Sequence, residues 1–304
     1  MIALIVVMFC VGWALSTWRP VSSAVTAVLD RWVIMVALPA VIVSTMSRVD
    51  LDSALLVPVA GSWAVMAACA MMVALAGRLA RWPAPVTGAL LCVAVLGNTS
   101  FMGLGMVEGL LGSDHLAAAI AYDQLGTFLA LSMWVPVVVR MYGRGAASEG
   151  ASTRGGAWSI AASMVRFPPF VALLVSVVVR FTSLPEFAFD AMEAIAPTVA
   201  PVAMFTVGLR FRARLAQRVV APALTGLAVK MVIVPAIVAA IVVVGGRDGD
   251  LMWSTTLLQS AAPPMVTAGL VAIAGGLDDE VTSFIVGAGT LAGFLWVPTV
   301  SLLL

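Results

Sequence analysis

VLGNTSFMGLGMVEGLLG, Val95 to Gly112, lies inside an apolar run long enough to cross a bilayer, yet it interrupts itself with Gly97-Asn98-Thr99-Ser100, five glycines and Glu108. A helix in hydrocarbon must satisfy its own backbone, so a break at that depth survives only where protein or a water-filled cavity surrounds it. The stretch therefore reads as a transmembrane helix unwound for a purpose, and the rest of the chain has to supply the purpose.

Composition sets the class: 62% of residues are hydrophobic and 10% charged, against roughly 25% charged in an ordinary soluble domain. This is the composition of an integral membrane protein. Cys10, Cys69 and Cys92 stand in apolar runs without paired spacing, which suits small core residues rather than a disulfide or metal framework. The run Ile2 to Trp18 has no basic segment before it and no small-residue cleavage site, and Arg19 follows it, as in a retained first span.

Apolar stretches of about 17 to 25 residues give ten candidate spans: 2–18, 32–47, 54–77, 86–111, 115–139, 167–181, 188–209, 219–244, 251–274 and 281–303. The sixth is short, and its helix could begin earlier, in Ala157 to Val165. Arginines test the count, because cytoplasmic connections collect them. Twelve fall in connections 1–2, 3–4, 5–6 and 7–8, while Arg48, Arg180 and Arg247 fall on the other side. Both termini are then outside, and the polar stretch 143–157 is a cytoplasmic linker. The overall charge of +1 hides this sidedness, which serves orientation in the bilayer rather than nucleic-acid binding. One feature runs against the pattern: connection 9–10 should be cytoplasmic but carries Asp278, Asp279 and Glu280.

The chain also repeats itself. Trp134-Val135-Pro136 recurs as Trp296-Val297-Pro298, and the same ungapped offset of 162 residues carries Pro39 onto Pro201, Arg48 onto Arg210 and Asn98 onto Ser260, just ahead of Pro263-Pro264. Chance in a biased composition is the bland alternative, although tryptophan and proline matches are costlier than those of leucine or valine. If the repeat is real, residues 1–142 and 158–304 each hold five spans. An odd number forces the second copy to insert upside down, an arrangement typical of transporters.

Spans 4 and 9 would then unwind at Gly97-Asn98 and at Ala261 to Pro264, and meet near the midplane. Asn98 would cap the outgoing half-helix, and Pro263 or Pro264 would suit a first helical position. Two half-helix N-termini would face one small volume, which favours an anion. The alternative is that the glycines merely allow close helix packing and the prolines merely kink span 9.

GNTSFMGLGMVEGLLG followed by AIAYDQLGTFLALSMW, with VALPAVIVSTM before and LQSAAPPMVTAGLVAIAGGLDDE after, resembles the auxin efflux carrier family, which includes plant auxin exporters and bacterial carriers proposed for malonate and other small organic acids. The similarity runs from Met1 to Leu304. It implies an all-α membrane protein of ten transmembrane helices in two inverted five-helix repeats, with a fold like that of sodium/proton antiporters or bile-acid symporters. It implies a scaffold of spans 1, 2, 6 and 7, through which a homodimer could form, and a transport domain of spans 3–5 and 8–10. The substrate would lie at the crossing of spans 4 and 9, touching Asn98 at the family's crossover asparagine, with Thr99, Ser100, Gln259, Ser260, Pro263 and Pro264 around it. Relatives commonly have Gly-Leu-Pro after the break; this chain has Gly103-Leu104-Gly105.

Ionisable groups inside spans cost roughly 2.5 to 3.5 kcal/mol on insertion scales, so each needs a reason. Lys230 lies about 17 Å from the start of span 8 and Asp123 about 12 Å from the outer end of span 5, at 1.5 Å per residue. In the sodium/proton antiporters an acid and a lysine on the corresponding spans flank the crossover, and this chain is similar in arrangement, with one acid fewer. The two could couple transport to sodium or protons, form a structural ion pair, or leave the lysine to neutralise the carbonyl ends of the half-helices. Glu108, near the outer surface, could simply reach water, and His115 reads as a loop residue. A hydrolase would need a Ser/His, paired-Asp or metal constellation, which one histidine outside the spans does not furnish. A receptor would explain the spans but not two matched breaks. The expectation is a secondary carrier of a small organic anion in the cytoplasmic membrane, without a cofactor.

Overall fold

The computed structural model describes residues 2–18, 21–47, 55–143, 168–182, 185–211, 216–247 and 249–304. Most of the linker 143–157 and the proposed early start of span 6 at Ala157 to Val165 lie outside the described residues. Every regular element among those described is helical: α1 (Ile2–Trp18), α2 (residues 23–46), α3 (Leu56–Leu79), α4 (Ala84–Val93), α5 (residues 99–111), α6 (Leu116–Tyr142), α7 (Pro168–Arg180), α8 (Glu186–Arg210), α9 (Gln217–Val244), α10 (Leu251–Ser260), α11 (Val266–Ala274) and α12 (Asp279–Ser301). Six stretches, within α2, α3, α6, α8, α9 and α12, are long and apolar enough to cross a membrane. The protein is an all-α, multi-pass membrane protein.

Helix ends follow local chemistry. Ser22 accepts the Ala24 amide at 3.2 Å, Asp250 accepts those of Met252 and Trp253 at 2.9 and 3.1 Å, and Asp278 accepts that of Val281 at 3.0 Å. Each side chain thereby satisfies first-turn donors that have no partner within the helix. Gly112 ends α5 at φ 103°, a conformation open to glycine and costly for other residues. α2 corrects the expected second span: it starts at residue 23 rather than 32. Thr26, Asp30 and Arg31 lower the hydropathy of its first turns, and a hydropathy reading sees only the apolar remainder.

α1 lies against α8 so closely that a Cβ on Gly12 would overlap the Phe205 carbonyl oxygen and one on Gly208 that of Phe9. Small residues allow such backbone approach in membrane helix pairs. Phe211, just beyond α8, meets Phe9 and Trp13 edge-on at 5.2 and 5.7 Å and stacks on Phe284 of α12 at 6.0 Å. α7 packs on the second half of α2.

The acidic run that contradicts the charge pattern finds its reason here. Asp279 approaches Arg210 at 3.9 Å, and Glu280 approaches Arg218 at 3.8 Å and accepts the Ala216 amide at 2.5 Å. The connection before α12 therefore lies beside the connection between α8 and α9, on one face of the molecule. Its acids cap a helix and answer arginines already there.

Candidate functional site

Spans 4 and 9 of the sequence are each two helices. α4 and α10 have ten residues apiece, and each is followed by five residues outside any α-helix, 94–98 and 261–265. The two interruptions run antiparallel and join as a bridge of Gly97 with Pro264. The Asn98 amide donates to Pro263 O at 2.7 Å, and the Met265 amide donates to Leu96 O at 2.9 Å. Each break thus meets backbone needs of the other, which lets non-helical chain persist at this depth.

This geometry corrects three expectations. Ser260 is not opposite Asn98; Pro263 is. Pro263 and Pro264 do not open the second half-helix, because α11 starts at Val266, and they lie instead in the extended bridge. Asn98 does precede the first turn of α5, but its side chain makes no capping bond, and its Nδ2 is buried without a partner. The cap bond is lost because α5 opens with a wide π-type turn, Thr99–Gly103, closed by the Gly103 amide on Asn98 O at 3.0 Å.

Similar turns carry the other polar groups. Asp123 begins Asp123–Phe128 in α6, and Lys230 lies in Val229–Ile233 of α9. Such turns insert one residue into the helix and recur at functional sites. Asp123 is fully buried. Its Oδ1 accepts the hydroxyls of Thr99 at 2.5 Å and Ser100 at 2.7 Å; its Oδ2 accepts Ser100 at 2.8 Å and Gln124 Nε2 at 2.9 Å. Lys230, equally buried, donates from Nζ to Ser260 O at 3.0 Å. A Cβ added to Gly97 would lie 3.0 Å from the same Nζ. Among the described residues no ion pair joins Asp123 to Lys230, which corrects the paired reading. The carboxylate is taken up by hydroxyl and amide donors at the start of α5, and the ammonium sits at the carbonyl end of α10, where a cation is favoured.

Gln259 closes the site from α10. Its Nε2 donates to Ala119 O at 3.3 Å and Thr99 O at 3.4 Å, while Oε1 is buried without a partner, pressed against Gly103. The Ser260 hydroxyl turns back to Leu257 O at 2.7 Å. Asn98, Thr99, Ser100, Gln259, Ser260, Pro263, Pro264, Asp123 and Lys230 are thereby brought together. Glu108 is exposed and stands apart. His115 Nδ1 lies 2.8 Å from Thr255 Oγ1 of α10, so it joins two elements rather than hanging free in a loop.

Sequence reasoning missed Gln124, whose Oε1 is another buried atom without a partner, and the ion pair in which Arg210 donates to both oxygens of Asp30 at 3.1 and 2.7 Å. Asp30 was legible as an acid at the edge of an apolar run; Arg210, 180 residues away, counted only toward orientation. The site offers the first-turn amides of α5 and α11, which have no acceptor within their helices, and buried amide groups with unused bonding capacity. That inventory is chemically suited to the polar groups of a solute.

Comparison with known proteins agrees. An uncharacterized transporter of Methanothermobacter thermautotrophicus is 26% identical over 99% of this chain and 96% of its own length. An uncharacterized transporter of Methanocaldococcus jannaschii is 23% identical over 68% of this chain and 67% of its own length. Residues 1–301 match the family described as membrane transport protein. With interrupted helices bridged in its interior and a match over nearly its whole length, the chain belongs to that family of membrane transporters, the one that contains the auxin efflux carriers.

Proposed function

We propose that the protein is a secondary active carrier of a small organic anion, such as a carboxylate or an auxin-like acid, across the cytoplasmic membrane. The observation that carries this reading is the reciprocal bridge between the two interruptions, Asn98 to Pro263 and Met265 to Leu96, beside which the buried Asn98 Nδ2 has no protein acceptor. A donor left unpaired at such depth costs about 1–3 kcal/mol, and an acceptor on a solute relieves that cost. The N-terminal ends of α5 and α11 add positive dipole ends at the same place.

An inverted repeat supports alternating access. Helices α4 and α10 start 167 residues apart, and the same step exchanges the two bridge bonds. The packing of α1 on α8 and of α7 on α2 is the exchange a pseudo-two-fold would produce. In this reading α1, α2, α7 and α8 form the scaffold, and through it a homodimer; α3–α6 and α9–α12 form the body that rocks or rides against it. Asp123 is the coupling residue. Its oxygens already gather Thr99, Ser100 and Gln124, and a proton or a sodium ion is the natural exchange partner for those donors. A cation antiporter of the same fold is the second reading, favoured by that carboxylate.

Thermal unfolding of purified protein with mono- and dicarboxylates and indole acids, with and without sodium, tests the substrate class, since a ligand of the folded state raises Tm. Asn98→Ala should abolish the shift produced by the effective acid while leaving the ligand-free Tm within a few degrees. A parental shift in Asn98→Ala removes the crossing as the anion site. Stabilisation by cations alone transfers the reading to the antiporter.

A further inference from the structure

On the face where α6, α8 and α11 end lies a cavity of about 630 Å³ that the crossing does not include. Its volume falls in the range of roughly 300–1,000 Å³ typical of small-molecule sites. Arg31 from α2, Arg140 from α6 and Arg210 from α8 line it, with Asp30 the one acid on its wall. Arg210 consumes that acid through both oxygens. Arg31 and Arg140 make no ion pair among the described residues, and both are exposed.

Three helix carbonyl ends oppose an anion here, each worth about half a negative charge. Those of α11 are already met, by the amides of Gly275, Gly276 and Leu277 on the Val271, Ile273 and Ala272 carbonyls, respectively, at 2.9–3.0 Å. The lining side chains bring three positive charges against one negative, and Asp30 and Asp279 both approach Arg210, which leaves Arg31 and Arg140 as the cations free to meet an anion. The rest of the wall is apolar, with Ile34, Val139 and Val271 prominent.

We propose that this cavity is a second anion site, a vestibule in which Arg31 and Arg140 hold the carboxylate of a small acid whose apolar body lies against Ile34, Val139 and Val271. The proposal rests on the reading of the crossing as an organic-anion site and adds a waiting position to it. α11, nine residues long, joins the two places, which sets them about 13 Å apart at 1.5 Å per residue. A free inorganic anion would use the arginines and leave the apolar wall idle.

Phenylglyoxal modification of the purified protein, read arginine by arginine by peptide mass spectrometry, tests the site. The probes are acetate, malonate and indole-3-acetate, each against sodium chloride at equal ionic strength. Modification of Arg31 and Arg140 should slow about tenfold with at least one of the three, a binding difference of about 1.4 kcal/mol, while exposed Arg78 and Arg247 keep their rates. Arg31→Gln and Arg140→Gln, both at exposed positions and so folded, should raise KM for the protecting acid about tenfold in liposome uptake from the arginine side, with kcat nearly unchanged. Equal modification rates with and without all three acids, or a parental KM in both variants, overturns the vestibule. Asn98→Ala separates the two sites. If it loses transport but keeps protection, both readings stand; if it loses protection as well, the anion sits only at the crossing; if it keeps both, the crossing reading fails and the vestibule remains.

Discussion

Lys230 and Asp123 are both deep in the protein, and each has its own partners. Lys230→Met leaves Ser260 O without its donor, and Asp123→Asn disrupts the hydroxyl and amide bonds from Thr99, Ser100 and Gln124. Unsatisfied buried groups cost about 1–3 kcal/mol each, so both single variants should melt lower than the parent. Because the two side chains do not touch, the double variant should show the sum of the two losses to within about 0.5 kcal/mol. A double variant more stable than the worse single would restore the ion pair. Gly103 gives a second test at this scale. A methyl group there would collide with Gln259 Oε1, and overpacking of this kind costs about 1–3 kcal/mol. Gly103→Ala should lower Tm and weaken acid binding, and adding Gln259→Ala should recover the Tm but not the binding. Recovery of neither would mean that the backbone, not Gln259, fills the space.

The helices show what a single chain discloses. Gly97-Asn98 and Pro263-Pro264 announce two breaks, because glycine or proline beside polar residues at matched places in the two halves is more than close packing or a kink requires. The register between the breaks is hidden. An ungapped offset of 162 carries Asn98 onto Ser260, whereas α4 and α10 stand 167 apart and Asn98 bonds Pro263. The register drifts along the repeat, because α9 is 28 residues long against 24 in α3 and the loop before α10 has six residues against four before α4, and such insertions leave no mark in hydropathy. The first turns of α2 were hidden for a related reason: Asp30 is polar by composition yet buried by Arg210, a pairing across 180 residues that periodicity cannot reveal. Asp123 and Lys230 were legible as expensive residues, but their partners were not, since a buried charge shows its cost in sequence and its compensation only in space. Contacts between elements also yield a prediction. The α1–α8 approach depends on Gly12 and Gly208, so Gly12→Leu or Gly208→Leu should force the helices apart and lower Tm by more than the Gly103→Ala change. Parental melting of both variants would show that α1 adjusts without loss.

For the whole molecule, the question is which face meets the cytoplasm, and the arginines carry the argument for it. Eleven of the fifteen arginines fall in or at the ends of connections 1–2, 3–4, 5–6 and 7–8, Arg31 of α2 lines the cavity on the same face, and the positive-inside tendency would put that face within the cell. The acidic connection before α12 seemed to dissent, yet Asp279 and Glu280 reach Arg210 and Arg218, which fixes it to the same face as the arginines. The cavity opens there too, bounded by the ends of α6, α8 and α11, so in the proposed orientation the vestibule would load from inside the cell. Labelling decides the orientation. With Cys10, Cys69 and Cys92 replaced by alanine, Ala146→Cys, in the linker between α6 and α7, should react with an impermeant maleimide only after cells are opened. Leu304→Cys, just beyond α12, should react in intact cells. The reverse pattern turns the molecule over, puts the arginine-lined cavity outside and makes the same vestibule an entrance for uptake. Reaction of both sites in intact cells would mean an even number of crossings between them, and the five-plus-five count would fall with the inverted repeat.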